Sequence, residues 1–291
     1  MYAGRIAREI VETDYFLPAG DSGGRGIIKS IEKVVTLLKF DKVCMCYKTF
    51  SGVTNALTDI CFDVQKGEFV TILGPSGCGK STFLFIGTGL TKNTAGTVTL
   101  DDKAITKPVK DVGFVFQDHL LLEWRTVLSN IMIQGEFRNI DKNECYEKAM
   151  ELIKLVGLEG FENKYPFELS GGMQQRVSIC RALIHDPELL MMDEPFGALD
   201  ALTREQMRID LERIWMERKN TILFVTHDIN EAILLSEKIV VMTNRPGRIK
   251  EIIKVDIPRP RSLRVTESPE FIAHRKHITE LFMEMGVLRV N

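Results

Sequence analysis

Long uncharged runs are what this sequence most plainly lacks. Among its 291 residues, the longest stretches free of Asp, Glu, Lys and Arg cover residues 69–79 and 81–91, eleven each. A bilayer-spanning helix needs about 18 or more such residues, so none is expected. The opening MYAGRIAREIVETD carries Glu9, Glu12 and Asp14 where a secretory signal needs an apolar core, which argues against export. Net charge is scarce too: 38 Lys+Arg against 40 Asp+Glu leave −2. Bulk basicity is therefore unavailable for coating nucleic acid, and any phosphate must be held by local geometry. The six cysteines (44, 46, 61, 78, 145 and 180) include one C-x-C, Cys44-Met45-Cys46, with no second pair or His cluster to complete a zinc set. They read as reduced thiols packed as small apolar side chains, which points to a cytosolic protein.

What is present is alternation. Residues 1–39 read as an extension, broken by the Gly-rich stretch at 20–26. Ile27, Ile28, Ile31, Val34, Val35 and Leu38 then follow at helical spacing and predict a short amphipathic helix. From Phe40 strands are expected in FDKVCMCY and ALTDICFDV, with a turn at Gln65-Lys66-Gly67. GEFVTIL reads as a buried strand feeding a Gly-rich loop and the apolar helix STFLFIGTGL. Strands are expected again at 97–100, 112–116, 189–192, 221–225 and 238–242, separated by helical stretches. Residues 119–177 lose the short apolar runs, and 143–156 carry helical periodicity. That alternation implies a parallel α/β core with a helical subdomain inserted in it: 40–118 and 178–250 form the core, 119–177 the insert and 251–291 a tail. In the tail, Ser268-Pro269-Glu270 supplies an N-cap, a first-turn proline and an early acid. Phe271, Ile278, Leu281, Phe282 and Met285 make one face, and Gly286 closes the helix.

Three segments carry chemistry. Gly74-Pro75-Ser76-Gly77-Cys78-Gly79-Lys80-Ser81 fits G-x-x-x-x-G-K-[ST], between a strand and a helix as that pattern requires. Its backbone N–H groups curl around a phosphate, Lys80 reaches the terminal phosphates and Ser81 is placed to ligate Mg²⁺. In Leu189-Leu-Met-Met-Asp193-Glu194, a buried strand presents Asp193 beside that loop to hold the metal or its water. Glu194 is a candidate base for activating a water. Successive strand residues face opposite ways, so both acids serve one site only if the strand ends there, and Pro195 provides the ending. Third, Leu169-Ser170-Gly171-Gly172-Met173-Gln174-Gln175-Arg176 opens the helix VSICRALI and offers a second anion-binding N-terminus. One nucleotide hardly needs two such loops. A dimer in which each loop completes the other chain's site uses both.

With these residues in place, the chain from about 40 to 285 resembles the ATP-binding cassette (ABC) ATPases. GPSGCGKS resembles the Walker A loop, LSGGMQQR the cassette signature and LLMMDEP the Walker B strand. Phe116-Gln117-Asp118 is placed like the Q-loop, Gly197-Ala-Leu-Asp200 like the D-loop and Val225-Thr-His227-Asp228 like the H-loop. The resemblance implies a P-loop NTPase (RecA-like) core with an antiparallel β subdomain and an inserted α-helical subdomain. It also implies ATP and Mg²⁺ as cofactors, with Thr82 joining the nucleotide-binding set. By the same resemblance Gln117 senses metal and attacking water, Glu194 is the general base and His227 contacts the γ-phosphate. Tyr47 stacks the adenine, with Phe50 as the other choice. Ser170, Gly171, Gly172 and Gln174 serve the partner's nucleotide, and Asp200 joins the two sites.

The finer resemblance is to importer ATPases of the nitrate/sulfonate/taurine group, carried by VGFVFQDHLLLEWRTV, MDEPFGALDALTREQM, FVTHDINEAILL, NRPGRI and IPRPR. It implies a head-to-tail dimer at the cytoplasmic face of the membrane and a separate permease docking near the Q-loop. An extracytoplasmic solute-binding protein would belong to the same complex without touching this chain, and no nucleic acid is implied. The sequence departs from that group at Glu123-Trp124-Arg125, where Pro-Trp-Arg is usual, and at Cys180, where Ala is usual. An alternative is a non-transport ABC module, but the roughly ninety residues between Lys80 and Ser170 leave no room for the long insertions such proteins carry. A P-loop small-molecule kinase leaves LSGGMQQR and the H-loop unexplained.

Overall fold

The computed structural model describes residues 35–50 and 52–288. The expected helix over 27–38 lies largely outside them. Its last residues do not: strand β1 (Thr36–Thr49) starts four residues before Phe40, and Leu37 and Leu38 are buried strand residues.

Two sheets organise the chain. Strands β1, β2 (Gly52–Gln65), β4 (Ala95–Leu100) and β5 (Lys103–Ala104) form an antiparallel sheet in the order β2-β1-β4-β5. The second sheet contains β3 (Phe69–Leu73), β6 (Val112–Val115), β7 (Leu189–Asp193), β8 (Thr221–Thr226), β9 (Lys238–Met242) and β10 (Ile249–Lys254) in the order β10-β9-β3-β8-β7-β6. Five of its strands are parallel, and β10 pairs antiparallel with β9. β10 runs through the expected boundary at 250/251, so the tail leaves the core only after Lys254.

The central strands are buried from end to end, as continuous apolar runs require in a sheet covered on both faces. Their side chains alternate between two cores. Leu190, Met192, Ile222 and Phe224 join helices α2 (Val127–Arg138), α3 (Lys142–Leu155), α4 (Gly171–Leu183) and α5 (Ala201–Arg218). Leu189, Met191, Leu223 and Val225 pack instead with the antiparallel sheet and α1 (Lys80–Gly87). The helical insert contributes α2, α3 and the start of α4. A third core joins α6 (Ile229–Leu235), β9 and β10 to α7 (Pro269–Glu284), where Ser268 caps the helix and Phe271, Ile278, Leu281 and Phe282 are buried, as the periodicity predicts. No helix among the described residues is long and apolar enough to cross a membrane.

Candidate active site

β3 ends at Leu73 and the chain turns through Gly74–Gly79 into α1. Gly79 sits at φ +110°, and a Cβ there would lie 2.8 Å from Leu57 Cδ2 and 3.0 Å from the Ala56 carbonyl oxygen, so only glycine fits. Gly79 is also the N-cap of α1, and no side chain caps that helix. Every other described α-helix has a capping side chain: Thr126, Asp141, Ser170, Asp200, Asp228 and Ser268. The first-turn amides of α1 are thus left for an anion, with the helix dipole behind them. Lys80 is 5% exposed and donates to the carbonyls of Gly74 (3.0 Å) and Pro75 (3.1 Å), which fixes its ammonium within the loop. Burial raises the pKa of the neighbouring Cys78 thiol, with Lys80 working against it, so Cys78 packs as a neutral apolar group.

The two acids meet this loop from β7. Asp193 ends the strand and Glu194 follows with φ +42°, a left-handed conformation that costs a non-glycine residue about 1 kcal/mol or more. That turn resolves the facing problem: both carboxylates reach the phosphate loop although strand alternation separates neighbours. Asp193 is hydrogen-bonded to Ser81. Its burial raises the pKa, Ser81 lowers it, Glu194 raises it and Lys80 lowers it. Glu194 bridges two cations or donors, with one carboxylate oxygen 3.1 Å from Lys80 Nζ and the other 2.9 Å from His227 Nδ1. Glu194, Lys80 and His227 therefore form a connected set, with His227 the exposed member.

The remaining expected residues divide. The Gln117 amide lies against the Glu194 turn: a Cβ on Gly197 would be 3.8 Å from Gln117 Nε2 and 3.4 Å from the Glu194 carbonyl oxygen. Tyr47, half-exposed, places its hydroxyl 3.2 Å from Thr82 Oγ1, whereas Phe50 is fully exposed at the β1–β2 turn. Ser170 caps α4 through Met173 N at 3.3 Å. Gly172 has a packing reason as well, since a Cβ there would strike Thr203 Cγ2 at 2.4 Å. Gln174 turns its amide back onto the carbonyls of Pro166 and Leu169. Asp200, exposed, accepts from Leu202 N and Thr203 N as the cap of α5, and hydrogen bonding from Thr203 lowers its pKa. Ser170 and Asp200 thus bond within their own turns rather than to the phosphate loop.

The ABC transporter family model matches residues 57–197, which span the phosphate loop, the α4 start and Asp193–Glu194. An aliphatic sulfonates import ATP-binding protein, SsuB, of Bacillus cereus is 43% identical over 254 residues, covering 87% of this chain and 99% of SsuB. The chain belongs to the ABC transporter ATP-binding proteins. An uncharacterized ABC transporter ATP-binding protein of Methanocaldococcus jannaschii is 47% identical over 257 residues, covering 88% of this chain and 95% of that one. The bacterial cassette MJ0796, solved as a dimer in a post-hydrolysis state with ADP and Pi, matches with a TM-score of 0.67 at 34% identity. That match covers 76% of this chain and 100% of that one. CbiO1 from Clostridium perfringens, part of the cbiONQ transporter complex, matches with 0.70 at 26% identity over 88% and 100%. The fold is the ABC cassette, and the chain is an ATPase.

Two supports of this ABC ATPase's site lie outside its Walker, signature, Q-loop, D-loop and H-loop residues. Arg204 donates to the carbonyls of Phe196 (3.3 Å) and Leu199 (2.8 Å), holding the turn before Asp200. Its partner Glu231 is buried, 3.9 Å away, and is hydrogen-bonded at 2.6 Å to Thr226, the residue before His227. Burial pushes the Glu231 pKa up to about 7. In the insert, Asn130 is fully buried. Its side chain accepts from Leu122 N and donates to the carbonyls of Leu122, Arg125 and Thr126, so it ties the loop that carries Glu123 and Trp124. The only sequence signals for these residues are a polar residue within an apolar helical stretch and an Arg three residues into a helix, neither of which names a partner.

Proposed function

We propose that this chain is the ATP-hydrolysing subunit of a solute importer, working as a head-to-tail pair at the cytoplasmic face of the membrane beneath a separate permease. The single observation that carries the coupling is a largely apolar cleft of about 320 Å³, lined by Phe114, Phe116, Leu120, Leu122, Ile133 and Phe137 with Gln134, Arg181 and His185 among them. Phe116 lines it and Gln117, the next residue, stands at the Glu194 turn. A permease helix seated in the cleft therefore presses on the residue that reports the state of the nucleotide. Trp124, 74% exposed and two residues after the cleft-lining Leu122, extends the proposed docking surface, and Glu123 adds a negative charge to it.

In the catalytic site, the Gly74–Ser81 amides and Lys80 hold the β- and γ-phosphates, and Tyr47 stacks the adenine. Glu194 accepts the proton of the attacking water, while His227 orients Glu194 and touches the γ-phosphate. Among the described residues no group of three or more His, Cys, Asp or Glu forms a metal site. Ser81, Asp193 and Gln117 instead offer oxygen donors, which suits Mg²⁺ shared with substrate phosphates. The buried, Ser81-bonded Asp193 carboxylate fits that role, and the ion would supply neutralisation of phosphate charge. Ser170, Gly171 and Gly172 of each chain face the partner's γ-phosphate, with Gln174 and Asp200 beside them. The identity to SsuB over nearly its whole length supports a small organic sulfonate or a related anion as the solute, delivered by an extracytoplasmic binding protein that does not touch this subunit. No nucleic acid takes part.

Purification from crosslinked native membranes tests the reading. A polytopic membrane protein should accompany the wild-type chain and be lost from Trp124→Glu, whose basal ATPase rate is unchanged. Steady recovery with DNA or a cluster-assembly scaffold, and no membrane protein, would contradict it.

A further inference from the structure

The segment Asn244-Arg-Pro-Gly-Arg-Ile249 is singled out in the sequence, yet it has no place in the chemistry above. In the fold it is a short loop between β9 and β10, closed on itself by Thr243 N donating to the Arg248 carbonyl (2.9 Å) and Arg248 N donating to Thr243 Oγ1 (3.0 Å). It is fastened at both sides. Gly247 N donates to the Ala56 carbonyl (2.9 Å), Thr58 N donates to the Gly247 carbonyl (3.0 Å), and Asn244 Nδ2 donates to the Met285 carbonyl after α7 (3.1 Å).

This anchored loop touches the phosphate loop twice. Arg245 donates from Nε (3.2 Å) and Nη2 (2.9 Å) to the Gly77 carbonyl oxygen. Two residues on, Gly247 packs so closely on the Cys78 carbonyl that a Cβ would lie 2.2 Å from that oxygen. We infer that Arg245 is a positioning residue for nucleotide binding: its guanidinium holds the Gly77–Cys78 peptide with the carbonyl turned out of the phosphate cradle.

The chemistry of the cradle explains why such a brace is needed. An anion site built from backbone requires N–H groups facing in and carbonyls facing away, because a carbonyl dipole pointing inward repels phosphate. Lys80 satisfies the carbonyls of Gly74 and Pro75. The tip is harder to hold, since Gly77 at φ +75° has no Cβ to restrict it and its peptide is free to flip. The peptide is planar and trans, so fixing the Gly77 oxygen also fixes the opposite direction of Cys78 N–H, which donates to Pro75 O and closes the turn (3.3 Å). Two donors from one guanidinium fix that orientation better than a single ammonium, which makes Arg and Lys unequal here. A full positive charge outside the loop also favours a ligand in proportion to its phosphates.

The inference rests on Gly74–Ser81 being the nucleotide's phosphate site, and the experiment separates the two ideas. Binding of ATP, ADP and AMP to the full-length wild type, Arg245→Ala, Arg245→Lys and Lys80→Ala is measured by calorimetry, together with steady-state ATPase rates. Arg245→Ala should weaken ATP binding and raise KM by roughly tenfold, the size of a lost charge-assisted hydrogen bond, with kcat changed far less. The loss should fall from ATP to ADP to AMP, Arg245→Lys should recover it only in part, and the thermal midpoint should stay within about 2 °C because the side chain is exposed. Wild-type KM in Arg245→Ala, or an equal loss for all three nucleotides with a lowered midpoint, would overturn the inference while Lys80→Ala still abolishes ATP binding. Undiminished ATP binding in Lys80→Ala would instead remove the phosphate-site reading, and this inference with it.

Discussion

Arg261, 2% exposed, donates to the main-chain carbonyls of Ile233, Ser236, Ile257 and Val255, fastening the segment after β10 to α6. Burial, with Arg259 beside it, lowers its pKa to about 10, and it stays charged at neutral pH. Arg261→Ala leaves several buried acceptors without donors, and about 4 kcal/mol of stability should be lost. Urea titration should show a lower midpoint with an unchanged slope. Glu231 makes the opposite kind of prediction. Its folded pKa of about 7 stands above the ordinary glutamate value of 4.5, chiefly through burial, so protonation favours the folded state. Its contribution is fully present below about pH 4.5 and is lost as pH rises through 7. The melting temperature of the wild type relative to Glu231→Gln should therefore fall between pH 5 and 8, and a difference independent of pH would contradict the assignment. Neither residue's role was legible in the sequence. The motif IPRPR and the stretch THDINEAILL contain them, but burial of a single charged side chain leaves no periodic trace, and the partners Ile233, Ser236 and Arg204 come from other elements.

Elements were far more legible than residues. The Ser268 cap, Pro269 and the Phe271–Ile278–Leu281–Phe282 face predicted α7, because each of those signals is local. The buried strands β3, β7 and β8 were readable for the same reason. β10 was not, since its alternating IKEIIK pairs with β9 only after the Arg245–Gly247 turn brings it back, and β1 reaches back to Thr36 because Leu37 and Leu38 complete a core formed by distant strands. The proposed function gives roles to two helix N-termini: α1, uncapped, for the chain's own site, and α4, capped by Ser170, for the partner's. Mixing Lys80→Ala chains with Ser170→Ala chains tests that division. Each mixed pair should trap one nucleotide, at the site where one chain's intact Lys80 meets the other's intact Ser170. Two trapped nucleotides per mixed pair would contradict the shared arrangement.

At the scale of the whole molecule, the features that first looked like absences acquire a use. Eleven uncharged residues are the most the chain offers in a row, yet the two such runs hold the strand and phosphate loop, at 69–79, and most of the helix that follows, at 81–91. Near-zero net charge is enough when phosphate is held by oriented amides, Lys80 and a braced loop. The cleft lined by Phe116, the residue before Gln117, is the route we propose to a membrane partner. What unites these parts is Glu194, set between Lys80 and His227 by a left-handed turn at the end of β7. Glu194→Gln keeps the shape of that contact and removes the base. Measured side by side, its ATP affinity should remain within a few-fold of wild type while turnover falls by about 10²-fold or more. An Glu194→Gln chain that hydrolyses ATP at the wild-type rate would contradict the assignment of the site.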